Sequence, residues 1–229
     1  MGGDELHPGN EDQDRVLVAA AGGGPAYVVA TAAARHRPEL AVANARRWFG
    51  SLGLDVEELP ATTKRHARST EIAERARAGR FFYLVGGDPG IVPDVLAGSP
   101  VWEAIVAAWR AGAALGGSSA GAMALGAWTL IRDRVPGDDR RRYRPALDLV
   151  PRLAVVPHLE TFGGRWVDGA LAAMPMPDAI LLGLGERTAA LHADGAWRAF
   201  GPGAVEVITA AGRRSFAAGD AIEGLPAPG

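Results

Sequence analysis

The sequence contains no cysteine. That excludes disulfides, thiolate metal sites and a cysteine nucleophile, and it leaves the redox compartment unmarked by bridges. An excess of charge is missing too: 24 Lys and Arg against 26 Asp and Glu leave a formal net charge of −2. Such a balance offers no basic footprint for nucleic acid. Residues 16–34 and 111–131 carry no charge and are long enough to raise the question of a membrane span. Gly22-Gly23-Gly24-Pro25 breaks the first, and Gly116-Gly117-Ser118-Ser119 the second. Both therefore read as buried core elements. Met1 to Glu11 is rich in glycine and acid, with no basic stretch leading into an apolar run, so it does not read as a signal peptide. The expectation is a cytoplasmic protein with neither a membrane nor a nucleic-acid partner.

What is present is the balance of an ordinary globular chain, 48% hydrophobic and 22% charged. At 229 residues the chain fits one α/β domain that buries roughly 70–75% of its unfolded surface. No fixed-period repeat and no dividing linker is visible, so residues 1–229 read as a single domain. Apolar runs alternate with helical patterns along most of the length. Helices are expected over 14–21, 38–52, 69–79, 101–110, 120–130 and 165–174. Strands are expected over 25–33, 54–57, 81–85, 113–117, 153–156 and 179–184. The spacing of Val42, Ala45, Phe49 and Leu52 carries the second helix, and Pro38 suits its first turn. Ser69 or Thr70 caps the third helix. Arg132 to Arg144 reads as a charged loop. Residues 188–192, 197–200 and 204–208 read as antiparallel strands with glycine-rich turns between them. Strands alternating with helices imply a mostly parallel sheet covered on both faces, with an antiparallel extension near the C-terminus.

Gly117-Ser118-Ser119-Ala120-Gly121 has the spacing of a nucleophile elbow, with a strand before it and a helix after it. In such a turn only small neighbours fit. The serine hydroxyl stands above the sheet, and the next amide, that of Ala120, faces a developing oxyanion. Ser118 fits half of the pattern and Ser119 all of it, so Ser119 is the candidate nucleophile. Gly86-Gly87-Asp88 ends the preceding strand, and in open α/β sheets strand C-termini gather at the ligand crevice. The Gly87 amide is thus the second candidate oxyanion donor, with Gly86 and Asp88 beside it as substrate-facing residues. Of the five histidines, His7 lies in the N-terminal segment, and His36 and His66 in basic, exposed-looking stretches. His192 lies in a late strand. His158 follows an apolar strand and Pro157, a strand-end position that suits a base. The carboxylate that orients it is left open between Glu186 and Asp133. Glu160 is nearer in sequence but reads as pointing away from the ring.

These stretches together resemble the serine peptidases that include aspartyl dipeptidase (dipeptidase E) and cyanophycinase. The resemblance runs through Gly2-Gly3-Asp4-Glu5, Val29-Ala30-Thr31-Ala32, Val85-Gly86-Gly87-Asp88, Gly117 to Ala122, Ala146 to Pro151, Pro157-His158 and Gly185 to Ala189. It implies a fold like a class I glutamine amidotransferase domain with serine in place of cysteine. It also implies a triad of Ser119, His158 and Glu186, oxyanion amides from Gly87 and Ala120, and no metal or cofactor. Cyanophycinases carry Gln after the Gly-Gly-Asp turn and an Asp-Gln-His-Phe run followed by arginines. Here Pro89 follows Asp88, and the histidine sits in Val156-Pro157-His158-Leu159. The match is therefore with the dipeptidase side of the family, and a small peptide is the expected partner. An acidic peptide would pair with an arginine of the 132–144 segment. A monomer or homodimer is expected. An esterase or amidase on non-peptide substrates, and a binding protein without catalysis, are the competing readings.

Overall fold

Phe81-Phe82-Tyr83-Leu84 is buried along its whole length in the computed structural model, as a strand inside a parallel sheet must be. The structure describes residues 1–132 and 141–229, without the side chains of residues 132, 141 and 162–166. It forms two compact units, one of Leu6–Gly121 and one of Met1–Glu5 with Ala122–Gly229.

The first unit runs α1 (Glu11–Ala21), β1 (Ala26–Val29), α2 (Pro38–Ser51), β2 (Glu57–Glu58), α3 (Lys64–Ala67), α4 (Thr70–Arg77), β3 (Phe81–Leu84), α5 (Ile91–Leu96), α6 (Pro100–Arg110) and β4 (Ala114–Gly117). Its strands lie in the order β2-β1-β3-β4, all parallel. Val42, Ala45, Trp48 and Phe49 form the buried stripe of α2. The Phe49 ring meets Phe81 and Tyr83 edge-on, at centroid distances of 4.9 and 5.1 Å. Such geometry adds about 0.5–1.5 kcal/mol per pair beyond the area buried. α1 buries polar groups as well: Trp48 Nε1 donates to Asp14 Oδ2 at 2.7 Å, and Gln13 Nε2 to Asn10 Oδ1 at 3.1 Å. Ser69, not Thr70, is the cap of α4, its hydroxyl accepting the Ile72 N–H. Ser99 caps α6 in the same way, with Pro100 in the first turn.

From α7 (Ala120–Leu125) the chain enters the second unit. There follow β5 (Gly126–Arg132), β6 (Arg141–Pro145), β7 (Val150–Val156), α8 (Leu159–Ala172), β8 (Ile180–Leu184), β9 (Ala189–Ala193), β10 (Ala196–Phe200), β11 (Val205–Thr209) and β12 (Gly212–Phe216). The sheet order is β12-β11-β8-β7-β5-β6, and β9 pairs with β10 in a separate hairpin. Three central strands, β5, β7 and β8, are parallel, and antiparallel neighbours flank them on both sides. The architecture is α/β, with a parallel sheet flanked by helices and antiparallel strands toward the C-terminus. Among the described residues no helix is long and apolar enough to cross a membrane.

Several boundaries differ from the sequence expectations. The helix expected over 120–130 stops at Leu125, and 126–132 is a strand. Gly126 ends the helix, and Trp128, Thr129, Leu130 and Ile131 prefer a pleated, half-buried surface. The backbone of Gly126 also packs on that of β7, where a Cβ would come within 2.5 Å of the Leu153 carbonyl oxygen. The charged segment contributes a strand from Arg141, paired with β5, while residues 133–140, including Asp133, Arg134 and Arg140, lie outside the described residues. α8 starts at Leu159 rather than at residue 165, because burial of its apolar face outweighs the cost of Gly163 and Gly164 in its first turns. The strand expected over 54–57 is confined to Glu57–Glu58.

Candidate active site

β3 and β4 run parallel, with Leu84 opposite Gly117, so the turns that leave them start side by side. The Ser118 N–H donates to the Leu84 carbonyl at 3.0 Å, and the Gly121 N–H to the Ser118 carbonyl at 2.8 Å. These two bonds fold the chain into a tight turn with Ser119 at its apex. Ser119 adopts φ 46°, a left-handed conformation that costs a side-chain-bearing residue about 1–3 kcal/mol and persists only where the surroundings impose it. What imposes it here is packing on β3. A Cβ on Gly121 would overlap the Leu84 carbonyl oxygen and stand 2.7 Å from its carbon. Ser118 is fully buried, and its hydroxyl has no hydrogen-bond partner among the described residues. Ser119 is half-buried. Reach toward a substrate therefore favours Ser119.

Gly87 follows β3 with φ 147°, a conformation that belongs to glycine. Its Cα packs on the turn after β1, where a Cβ would overlap the Ala32 carbonyl oxygen and lie 2.9 Å from the Ala33 nitrogen. The Asp88 N–H donates to that same Ala32 carbonyl at 2.8 Å, and Asp88 Oδ1 accepts the Gly90 N–H at 2.8 Å. Arg35 Nη1 stands 4.0 Å from Asp88 Oδ2, both groups being exposed to solvent. The Asp88 carboxylate thus closes its own turn and keeps the Gly86–Gly87 backbone in place beside the elbow.

The second unit repeats the arrangement at β7 and β8, parallel neighbours with Val156 opposite Gly183. His158 follows β7 in a left-handed conformation, φ 52°, as the residue that precedes α8. Glu186 follows β8. Its Oε1 lies 3.3 Å from His158 Nδ1, the two side chains being 41% and 26% exposed. No other histidine combines a strand end with a carboxylate on the ring among the described residues. His66 meets Thr62, and the His192 ring lies against Trp197. No group of three His, Asp or Glu among the described residues is arranged to hold a metal ion.

The model of Peptidase family S51 matches residues 6–198 of this chain. The chain belongs to peptidase family S51. The crystal structure of a peptidase from an acI-B1 Actinobacterium superposes on it with a TM-score of 0.84 and 25% identity, over 97% of this chain and 94% of that one. A Listeria monocytogenes EGD-e protein named for peptidase E superposes with a TM-score of 0.59 and 20% identity, over 79% of this chain and 87% of that one. No curated protein matches the sequence. The S51 membership makes this protein a serine-type peptidase.

The sequence reading of this S51 peptidase named the N-terminal Gly2-Gly3 turn but did not place it against His158 and Glu186. The His158 N–H donates to the Gly2 carbonyl, the Arg187 N–H to the Gly3 carbonyl and the Gly2 N–H to the Thr188 carbonyl, each at 2.9 Å. Asp4 Oδ2 lies 3.1 Å from Arg187 Nε. Gly3, at φ 132°, lies against the imidazole itself, where a Cβ would overlap Cε1 and stand 2.6 Å from Nδ1. Gly2-Gly3 thus forms a wall behind the ring, and two adjacent glycines were the available signal. Glu160 was the other residue underrated in the sequence. Its Oε2 accepts the Glu186 N–H at 3.0 Å, so it meets the Glu186 backbone rather than the imidazole.

Proposed function

We propose that this S51 peptidase cleaves small peptides through Ser119, His158 and Glu186, by way of an acyl-enzyme. The observation that carries the proposal is the left-handed Ser119 at a strand-to-helix turn, with Gly121 packed on the Leu84 backbone. A serine is held in that conformation at a cost, and exposure of its hydroxyl is what the cost secures. Serine is a weak nucleophile on its own and needs a base. His158 is the histidine whose Nδ1 faces a carboxylate, which fixes the tautomer and directs Nε2 to proton transfer.

His158 Nε2 takes the proton as Ser119 Oγ bonds to the peptide carbonyl carbon. The oxygen that gains the charge is met by the N–H groups of Gly87 and Ala120. Collapse of the tetrahedral species breaks the C–N bond, and His158 returns its proton to the departing amine. Water, deprotonated by the same imidazole, then displaces Ser119 from the acyl group. Glu186 stabilises the imidazolium in both halves without taking its proton. A guanidinium pairs well with a substrate carboxylate, so the arginines of the 132–144 segment make acidic peptides the expected substrates.

A panel of dipeptides with acidic, basic and neutral first residues tests this reading. Turnover of at least one peptide, abolished by Ser119→Ala and by His158→Ala and strongest on acidic peptides, is the expected result. Undiminished turnover in Ser119→Ala contradicts the triad, and an even response across the panel contradicts the acidic preference alone.

A further inference from the structure

A carboxylate in the first turn of a helix ordinarily serves the helix that carries it, by accepting its unpaired N–H groups. Glu160 is the second residue of α8, and it reaches elsewhere. Its Oε2 accepts the N–H of Glu186, 26 residues further along the chain, at 3.0 Å. Two glycines make room for it. A Cβ on Gly185 would overlap Glu160 Oε1 and stand 2.9 Å from Cδ, and one on Gly203 would lie 2.7 Å from Oε1. The other side of the same residue is fixed as well. Thr188 Oγ1 donates to the Glu186 carbonyl at 3.0 Å and accepts the Gly203 N–H at 2.9 Å. Both peptide groups of Glu186 are therefore held, which leaves its side chain to meet His158 Nδ1.

The start of α8 thus touches the couple twice. His158 precedes the helix and supplies the ring, and Glu160, two residues later, holds the backbone of the acid that orients that ring. We propose that Glu160 is a positioning residue for the base–acid couple and acts through the Glu186 peptide. This rests on the assignment of Ser119, His158 and Glu186 as the triad. An acceptor at the position of Oε2 is what the arrangement requires, and glutamine can supply one while alanine cannot. A shift of about 1 Å in a catalytic group can cost on the order of 100-fold in rate.

The test is the kinetics of covalent labelling by a fluorophosphonate, split into the limiting rate kinact and the half-saturation constant KI. Glu160→Ala is expected to lower kinact by roughly 10- to 100-fold with KI unchanged, and Glu160→Gln to restore most of it. In a Glu186→Gln background, Glu160→Ala should add no further loss, because its effect passes through Glu186. An unchanged kinact in Glu160→Ala, a loss carried by KI, or losses that multiply in the double variant would overturn the positioning role. Glu160→Asp covers the case in which the alanine variant fails to fold: it keeps the charge, draws the oxygen back, and should lose rate as alanine does. Ser119→Ala and Glu186→Gln run alongside. Labelling retained in Ser119→Ala, or an unreduced kinact in Glu186→Gln, refutes the triad itself, whereas lost labelling in the first and a reduced kinact in the second, with an unaffected Glu160→Ala, refute only the positioning role.

Discussion

Replacing Gly3 with alanine tests the wall behind His158. The added Cβ would overlap His158 Cε1 and stand 2.6 Å from Nδ1, whereas ordinary contact begins at 3.4 Å, so the ring has to withdraw by more than about 0.8 Å or the N-terminal turn has to lift. Either movement alters the 3.3 Å approach of Nδ1 to Glu186 Oε1. Displacement on that scale predicts a loss of roughly 10- to 100-fold in rate. The backbone adds its own penalty, because φ 132° at Gly3 costs an L-residue about 1–3 kcal/mol. The assay is fluorophosphonate labelling by stopped flow, with a thermal melt of the same sample. Gly169→Ala is the matched control: it lies in α8, and its added Cβ meets nothing within 4 Å. A Gly3→Ala protein that labels within about twofold of the parent would refute the argument that this turn holds the imidazole.

Ser118→Ala removes a buried hydroxyl that has no partner among the described residues. It should leave labelling intact and raise stability by up to about 1 kcal/mol in a urea melt, whereas loss of labelling would move the nucleophile to Ser118. Trp48→Phe withdraws the indole N–H from the buried Asp14 carboxylate. It should cost about 1–3 kcal/mol, read by calorimetry as a midpoint lower by roughly 2–4 °C per kcal/mol. Tyr143 donates to the Ala170 carbonyl at 2.8 Å, and burial raises its pKa above the ordinary phenol value. With the folded pKa raised, its stabilisation is complete below about pH 10, the unfolded value, and is lost as pH rises beyond it. Tyr143→Phe should therefore cost about 1 kcal/mol at neutral pH and show a shallower alkaline loss of stability than the parent.

The strand ends proposed to carry the chemistry were legible because their signals are local. Gly117-Ser118-Ser119-Ala120-Gly121 and Gly86-Gly87-Asp88 declare tight turns, and Pro157-His158 directly follows an apolar run. In each case a residue type is tied to one backbone conformation, and the structure has left-handed or glycine-only geometry at Ser119, Gly87 and His158. What the sequence hid depends on partners distant in the chain. Trp128 to Leu130 read as the end of a helix because small residues precede them, and only pairing with β6 and β7 makes them a strand. Residues 159–164 contain two glycines and lie before the helix expected over 165–174, yet they open α8. The wall formed by Gly3 and the reach of Glu160 to Glu186 link residues far apart in sequence, and no periodicity encodes such contacts.

The central claim is that Ser119 is the nucleophile. Intact-protein and peptide mass spectrometry after exposure to a fluorophosphonate tests it most directly. The account predicts one adduct per chain, on Ser119, formed slowly or not at all in His158→Ala and absent in Ser119→Ala. An adduct on another residue, or equal labelling of Ser119→Ala and the parent protein, would contradict it.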